Sequence, residues 1–159
     1  MDKHTFETLL LDQHAGIRQT LREVLQARFP GLRLTEVNTA REAMERLDTL
    51  RPALAIIELQ PDSPGAMALI RYVRALSPST LILTLTDRDL PEYRQAALAA
   101  GSNAFFSKRE DRLEQLLEHI DRAMGKYQGN GPSASRQADA LRIRPLPGSR
   151  WPLPTPPGG

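Results

Sequence analysis

The 159-residue chain contains no cysteine, which removes disulfides, thiol chemistry and zinc–cysteine sites together. It also lacks any apolar run approaching the roughly 20 residues that span a bilayer, and its N-terminus shows no signal-peptide pattern. A cytoplasmic location without membrane association is therefore expected. Net positive charge is missing where folding is expected. Beyond Gly125, five cations (Lys126, Arg136, Arg142, Arg144 and Arg150) face the single acid Asp139, a balance of +4; the whole chain carries +2, which leaves −2 for residues 1–125. The pI of about 9.3 thus reflects the tail. Nucleic-acid contact is expected at most through that tail, and would be non-specific and salt-sensitive.

What is present is ordinary for a globular domain: 40% apolar and 25% charged residues, with enough length for one core. Apolar strands read at residues 6–11, Ala53 to Ile57, Thr80–Leu85 and 104–107, with Leu32–Val37 as an edge strand. Between them lie helical patterns at His14–Arg28, about 40 to 50, about Ala66 to Leu76, from Pro91 to Gly101, and 110–124. Thr39 and Glu42 have capping-box spacing, and Pro91 suits a first helical turn. The continuous apolarity of Ala53–Ile57 fits a central parallel strand covered on both faces. Five βα repeats predict an α/β fold with a parallel sheet at its centre.

Asp12, Glu58, Thr86 and Lys108 then fall at strand ends, on the carboxyl edge where open α/β sheets bind ligands. An acid, a hydroxyl and a lysine converging there suit phosphate handling. No glycine-rich phosphate loop follows the first strand, since Gln13-His14-Ala15-Gly16 holds one glycine, which argues against a small flavodoxin-like enzyme or nucleotide binder.

The segments Leu9-Leu10-Leu11-Asp12-Gln13-His14, Ile56-Ile57-Glu58-Leu59, Leu83-Thr84-Leu85-Thr86, Ala99-Ala100-Gly101-Ser102-Asn103-Ala104-Phe105 and Phe105-Phe106-Ser107-Lys108 resemble, in this order, the receiver domain of two-component response regulators. The resemblance covers residues 6–125, and helix 1 leans towards the NarL/FixJ-like subfamily, whose receivers usually precede a DNA-binding domain. It implies a flavodoxin-like (βα)5 three-layer sandwich with a five-stranded parallel sheet, and a signalling module, not an enzyme. In the family an acidic pair after strand 1 holds Mg²⁺, an aspartate after strand 3 accepts a phosphoryl group, a Thr or Ser after strand 4 binds it, and a lysine after strand 5 pairs with it. Carried over, Asp12 is the remaining metal position, Glu58 the phosphoacceptor position, Thr86 and Lys108 the phosphate pocket, and Phe105 the switch aromatic.

Two departures matter. Gln13 replaces the second acid, so the site falls to two carboxylates even with Glu58 counted, and Mg²⁺ is expected to bind weakly or not at all. Glu58 replaces the acceptor aspartate with a side chain one methylene longer, a displacement in-line transfer tolerates badly. A degenerate pseudo-receiver follows, acting in bacterial signal transduction by protein contacts without normal aspartyl phosphorylation and regulating transcription; the competing reading is a competent receiver fed by a histidine kinase. No cofactor is expected. Expected partners are proteins, among them a sensor histidine kinase or an output domain, and a weak homodimer. Asp12 is read as a metal ligand or as the Lys108 partner, Glu58 as the anion facing Lys108. Asp62 and Asp87 are read as solvated loop acids, His14 as a helix-start residue rather than a base, and His4 and His119 as surface residues. Phe105, lacking a hydroxyl, is expected to move under packing alone.

The expected division is a receiver at residues 1–126 and a disordered basic tail at 127–159, which holds seven of thirteen prolines and five of ten glycines. Its Arg142–Pro147 and Trp151–Pro154 segments suit polyproline II recognition, a spacer or the stump of an output domain.

Overall fold

The computed structural model describes residues 5–60, 65–108 and 112–128, and divides into two compact units, residues 5–107 and residues 1–4 with 108–159. In the first unit β1 (Phe6–Leu11), α1 (Ala15–Arg28), β2 (Leu32–Val37), α2 (Ala40–Arg46), β3 (Leu54–Glu58), α3 (Gly65–Leu76), β4 (Leu81–Thr86), α4 (Pro91–Ala100) and β5 (Ala104–Ser107) alternate. The sheet is parallel throughout, in the order β2-β1-β3-β4-β5. Strand, helix and parallel strand in one sheet connect in a right-handed sense, so the chain reverses direction after β2 and leaves a crevice where β1 meets β3.

Strand alternation sorts the core. Leu9, Leu11, Ala55, Ile57, Ile82 and Phe105 pack with Ala43, Leu47, Leu69, Ile70, Val73 and Ala97 of the following helices. Phe6, Leu10, Ile56, Leu83 and Leu85 alternate to the opposite face and are equally buried. There Phe6 meets Phe29, just beyond α1, edge to face at 6.5 Å. β2 is an edge strand, as its sequence predicts, with only Leu32 and Val37 buried.

Helix ends follow local chemistry. Thr39 Oγ1 accepts the Glu42 N–H at 3.1 Å, while the Glu42 carboxylate reaches back to the Asn38 N–H at 3.0 Å, one residue earlier than the usual reciprocal bond. α2 is shorter than the expected 40–50, because Asp48 and Thr49 bond three residues back and tighten the last turn. Pro91 opens α4 as expected.

The edge of the sheet away from the crevice is held by one cation. Arg74, near the end of α3, uses all five of its donors: Nε and Nη2 bond Gly101 O at 3.1 and 2.8 Å, Nη1 bonds Pro78 O and Thr80 O at 2.8 and 2.9 Å, and Nη2 also bonds Asn103 Oδ1 at 2.8 Å. Gly101 has φ 127°, and a Cβ there would lie 2.9 Å from Arg74 Cβ and Cγ.

In the second unit α5 (Arg112–Gln128) is amphipathic, with Leu113, Leu116, Leu117, Ile120 and Met124 buried as expected. It runs four residues past its expected end, through Gly125 and two residues into the segment assigned to the tail. A glycine inside a helix costs only about 1 kcal/mol, less than the gain from a long apolar face. His119 was expected at the surface but is buried (5% exposed), because it shares the inner face with Gln115 and Leu116. Burial, with the neighbouring Arg122 charge, lowers its pKa to about 4. His4, Asp62 and residues 129–159 lie outside the described residues.

Two outcomes test these features. Gly101→Ala should cost about 1–3 kcal/mol in urea unfolding, combining left-handed backbone strain with the Arg74 contact. His119 binds a proton more readily unfolded (near pH 6.5) than folded (near 4), so its contribution destabilises the fold as pH falls through that window. Between pH 7 and 5 the loss should be about 1–2 kcal/mol, and His119→Leu should be flatter over the same interval.

Candidate functional site

The β1–β3 register pairs Leu11 with Ile57, which places Asp12 and Glu58 side by side at the carboxyl edge of the crevice. Both are buried, Asp12 completely and Glu58 to 4% exposure. Asp12 closes a turn, its Oδ1 accepting the His14 N–H at 2.8 Å. Its carbonyl is held by Arg18 Nη1, and Arg18 Nε continues to Glu36 at 3.2 Å. Glu58 is gripped from two sides: Oε1 accepts the Gln13 backbone N–H at 3.1 Å, and Oε2 accepts Gln60 Nε2 at 2.7 Å. Gln60 Oε1 in turn accepts Gln13 Nε2 at 2.6 Å. The amide at the second-acid position therefore acts on Glu58 through its own backbone and through Gln60.

His14 was read as a helix-start residue, and it does occupy the N-cap position of α1, but its side chain caps nothing. The ring instead faces both acids. Nδ1 lies 3.3 Å from Asp12 Oδ1 and 3.2 Å from Glu58 Oε2, with the side chain 45% exposed. Sequence reasoning undervalued His14 and missed Gln60. A signal existed for the first, since a helix-start residue two positions after a strand-end acid shares that acid's turn. A cavity of about 90 Å³ opens beside Glu58, lined also by Gln13, Gln60, Asn38 and Thr39.

The other expected residues are placed as follows. Thr86 ends β4, one position beyond Leu85, the partner of Glu58. It is buried, and its hydroxyl accepts the Arg88 N–H at 3.0 Å and donates to Arg88 O at 3.2 Å, so it closes its own loop. Asp87 is exposed in that loop, as expected of a solvated turn acid. Phe105 is buried in the core, and packing does not act on it alone: the Arg94 guanidinium carbon lies 5.0 Å from its ring centroid, a cation over the aromatic face. Lys108 opens the second unit one residue after β5 and is 9% exposed. Its expected pairing with Glu58 or Asp12 would join the two units and stays an expectation.

The response regulator receiver domain model matches residues 8–121. The chain belongs to the response regulator receiver family. It is 27% identical over 120 residues to the Fimbriae Z protein of Salmonella typhimurium, covering 75% of this chain and 56% of that protein. It is 30% identical over 112 residues to the response regulator MprA of Mycobacterium leprae, covering 70% and 48%. The chain thus spans about half the length of these relatives. Among solved structures, a CheY-like receiver from Methanospirillum hungatei superposes with a TM-score of 0.68 at 23% identity, covering 80% of this chain and 99% of that one. A LuxR-family response regulator from Aurantimonas superposes at 0.67 with 23% identity, covering 86% and 95%. These likenesses establish the flavodoxin-like receiver fold. The receiver is a two-component signalling module, and among its described residues no helix is long and apolar enough to cross a membrane.

The metal the family implies is Mg²⁺, which wants oxygen donors in an octahedral arrangement with several waters retained. The donors assembled at this receiver's site are two carboxylates and an imidazole nitrogen, with an amide in place of the second acid. That set does not suit Mg²⁺.

Removing a donor from a buried carboxylate is expensive, whereas removing an exposed amide is not. Gln60→Ala should therefore cost about 1–2 kcal/mol in urea unfolding. Gln13→Ala keeps the backbone N–H on Glu58 and should cost under about 0.5 kcal/mol.

Proposed function

We propose that this receiver signals through protein contacts without normal aspartyl phosphorylation. The observation that carries the reading is the state of Glu58. It stands at the acceptor position with both carboxylate oxygens engaged, by Gln13, Gln60 and the His14 ring. In-line attack on a phosphodonor needs a carboxylate oxygen aimed outwards, and a misplacement of about 1 Å costs on the order of a hundredfold in rate. The Thr86 hydroxyl, closed on Arg88, is likewise committed to its own loop. Mg²⁺ affinity is weak or absent on this reading, since the donor set is short of oxygen charge.

Glu58 supplies one standing negative charge where a phosphoryl group supplies nearly two. The pocket therefore holds a fixed partial anion rather than a switchable one. The match spans about half the length of these relatives; the MprA proteins among them are response regulators, and one relative from Pseudomonas aeruginosa is described as a putative transcriptional regulator. Regulation of transcription, through an output domain or a partner carrying one, is the corresponding proposal here. Weak two-fold self-association of residues 1–125 fits the prevalence of closed dimers among soluble proteins.

Incubation with acetyl phosphate and Mg²⁺, followed by phosphate-affinity electrophoresis, tests the central point. The natural sequence should show no acyl phosphate, and Gln13→Asp with Glu58→Asp should gain one. A hydroxylamine-labile phosphoryl group on Glu58 of the natural sequence would establish the competing reading of a competent receiver.

A further inference from the structure

The same three groups that disfavour Mg²⁺ form a coherent donor set of another kind. A carboxylate oxygen from each of Asp12 and Glu58, at two strand ends, and a ring nitrogen of His14, at the start of α1, lie within 4.8 Å of one another. The two edges that include the imidazole measure 3.3 and 3.2 Å. Ligands at about 2.0–2.1 Å from a tetrahedral ion lie roughly 3.3 Å apart, so both edges already have the spacing of coordinated donors.

From this geometry we infer that Asp12, His14 and Glu58 bind a first-row transition-metal ion of the Zn²⁺, Co²⁺ or Ni²⁺ class in place of Mg²⁺. Imidazole nitrogen suits these borderline ions and carboxylates complete the set, whereas Mg²⁺ dehydrates reluctantly and favours oxygen. The extra methylene of Glu58 has a role here, because it lets that carboxylate share His14 with Asp12. The outer supports are in place: Gln60 and the Gln13 N–H orient Glu58, and the His14 N–H orients Asp12. The half-exposed ring provides an entry path, and the cavity beside Glu58 leaves room for water or an outside donor at the remaining position. Three protein ligands and one open position describe a site that reports or recruits rather than a closed structural one.

The inference does not depend on the absence of phosphorylation. A receiver that formed an acyl phosphate would refute the proposed function and leave metal binding to be judged by its own readout.

The test is calorimetry and thermal unfolding of the full, untagged chain with Zn²⁺, Co²⁺ and Mg²⁺ in turn. Zn²⁺ and Co²⁺ should bind one to one and raise the unfolding midpoint at about 100 µM, while Mg²⁺ at about 5 mM should not. Bound Co²⁺ should develop the visible absorption of a four- or five-coordinate ion. His14→Ala, at a half-exposed position outside the core, should weaken Zn²⁺ binding at least tenfold and abolish the cobalt spectrum, and Glu58→Gln should do the same. Equal stabilisation by Mg²⁺, no saturable binding of Zn²⁺ or Co²⁺, or undiminished binding in His14→Ala would each overturn the assignment.

Discussion

The pairing of β1 with β3 is the constraint on which the site depends. Once Leu11 is opposite Ile57, the next residue on each strand is an acid, and both acids enter the same crevice almost without water. Two like charges in a poorly solvated place are costly unless donors or cations surround them. The neighbourhood of Asp12 and Glu58 answers that cost with backbone N–H groups from Gln13 and His14, a side-chain amide from Gln60 and the His14 ring. Every unusual choice in the crevice follows from keeping these two carboxylates together.

The opposite edge of the sheet is built on a different economy. Arg74 brings its five donors to the loops between α3 and β4 and between α4 and β5, and it does so against a glycine whose backbone no other residue adopts comfortably. No second group of acids able to hold an ion forms at that end among the described residues. It fixes where β4 and β5 begin, and so indirectly where Thr86 and Phe105 end up. The Arg74 hydrogen bonds anchor one edge, and the buried acids gather at the other, the carboxyl edge where open parallel sheets bind ligands.

Within the receiver family, a one-methylene change at Glu58 and the loss of one acid at Gln13 would be small events if each acted alone. They matter because they act on a shared geometry. Glutamate reaches far enough to meet His14, and glutamine at position 13 can hold Gln60 on Glu58 in a way an acid would not. The groups gathered around Glu58 are a second carboxylate, an imidazole and amides. Arg94 over Phe105 adds a second local contact, which the aromatic ring would give up on leaving its pocket.

The alternation of apolar runs and helical periods, the cap at Thr39, Pro91 at the start of α4 and the apolar continuity of β3 were all readable in sequence. Each is a local rule of backbone and burial, and the (βα)5 sheet follows from repeating it. Asp12, Glu58 and Thr86 were readable at strand ends from the apolar runs, and the structure places them there; the family resemblance added the roles expected of them and of Phe105. What sequence could not supply was orientation. Whether His14 caps its helix or turns to two carboxylates, whether the Thr86 hydroxyl faces a ligand or its own loop, and whether His119 is buried depend on rotamers and packing between distant segments. Gln60 was invisible for the same reason, because its importance comes from a carboxylate two residues away and an amide 47 residues away, brought within hydrogen-bond reach only by the fold. Periodicity encodes which residues are inside, whereas the direction in which a polar group points is decided by the neighbours that tertiary structure gives it.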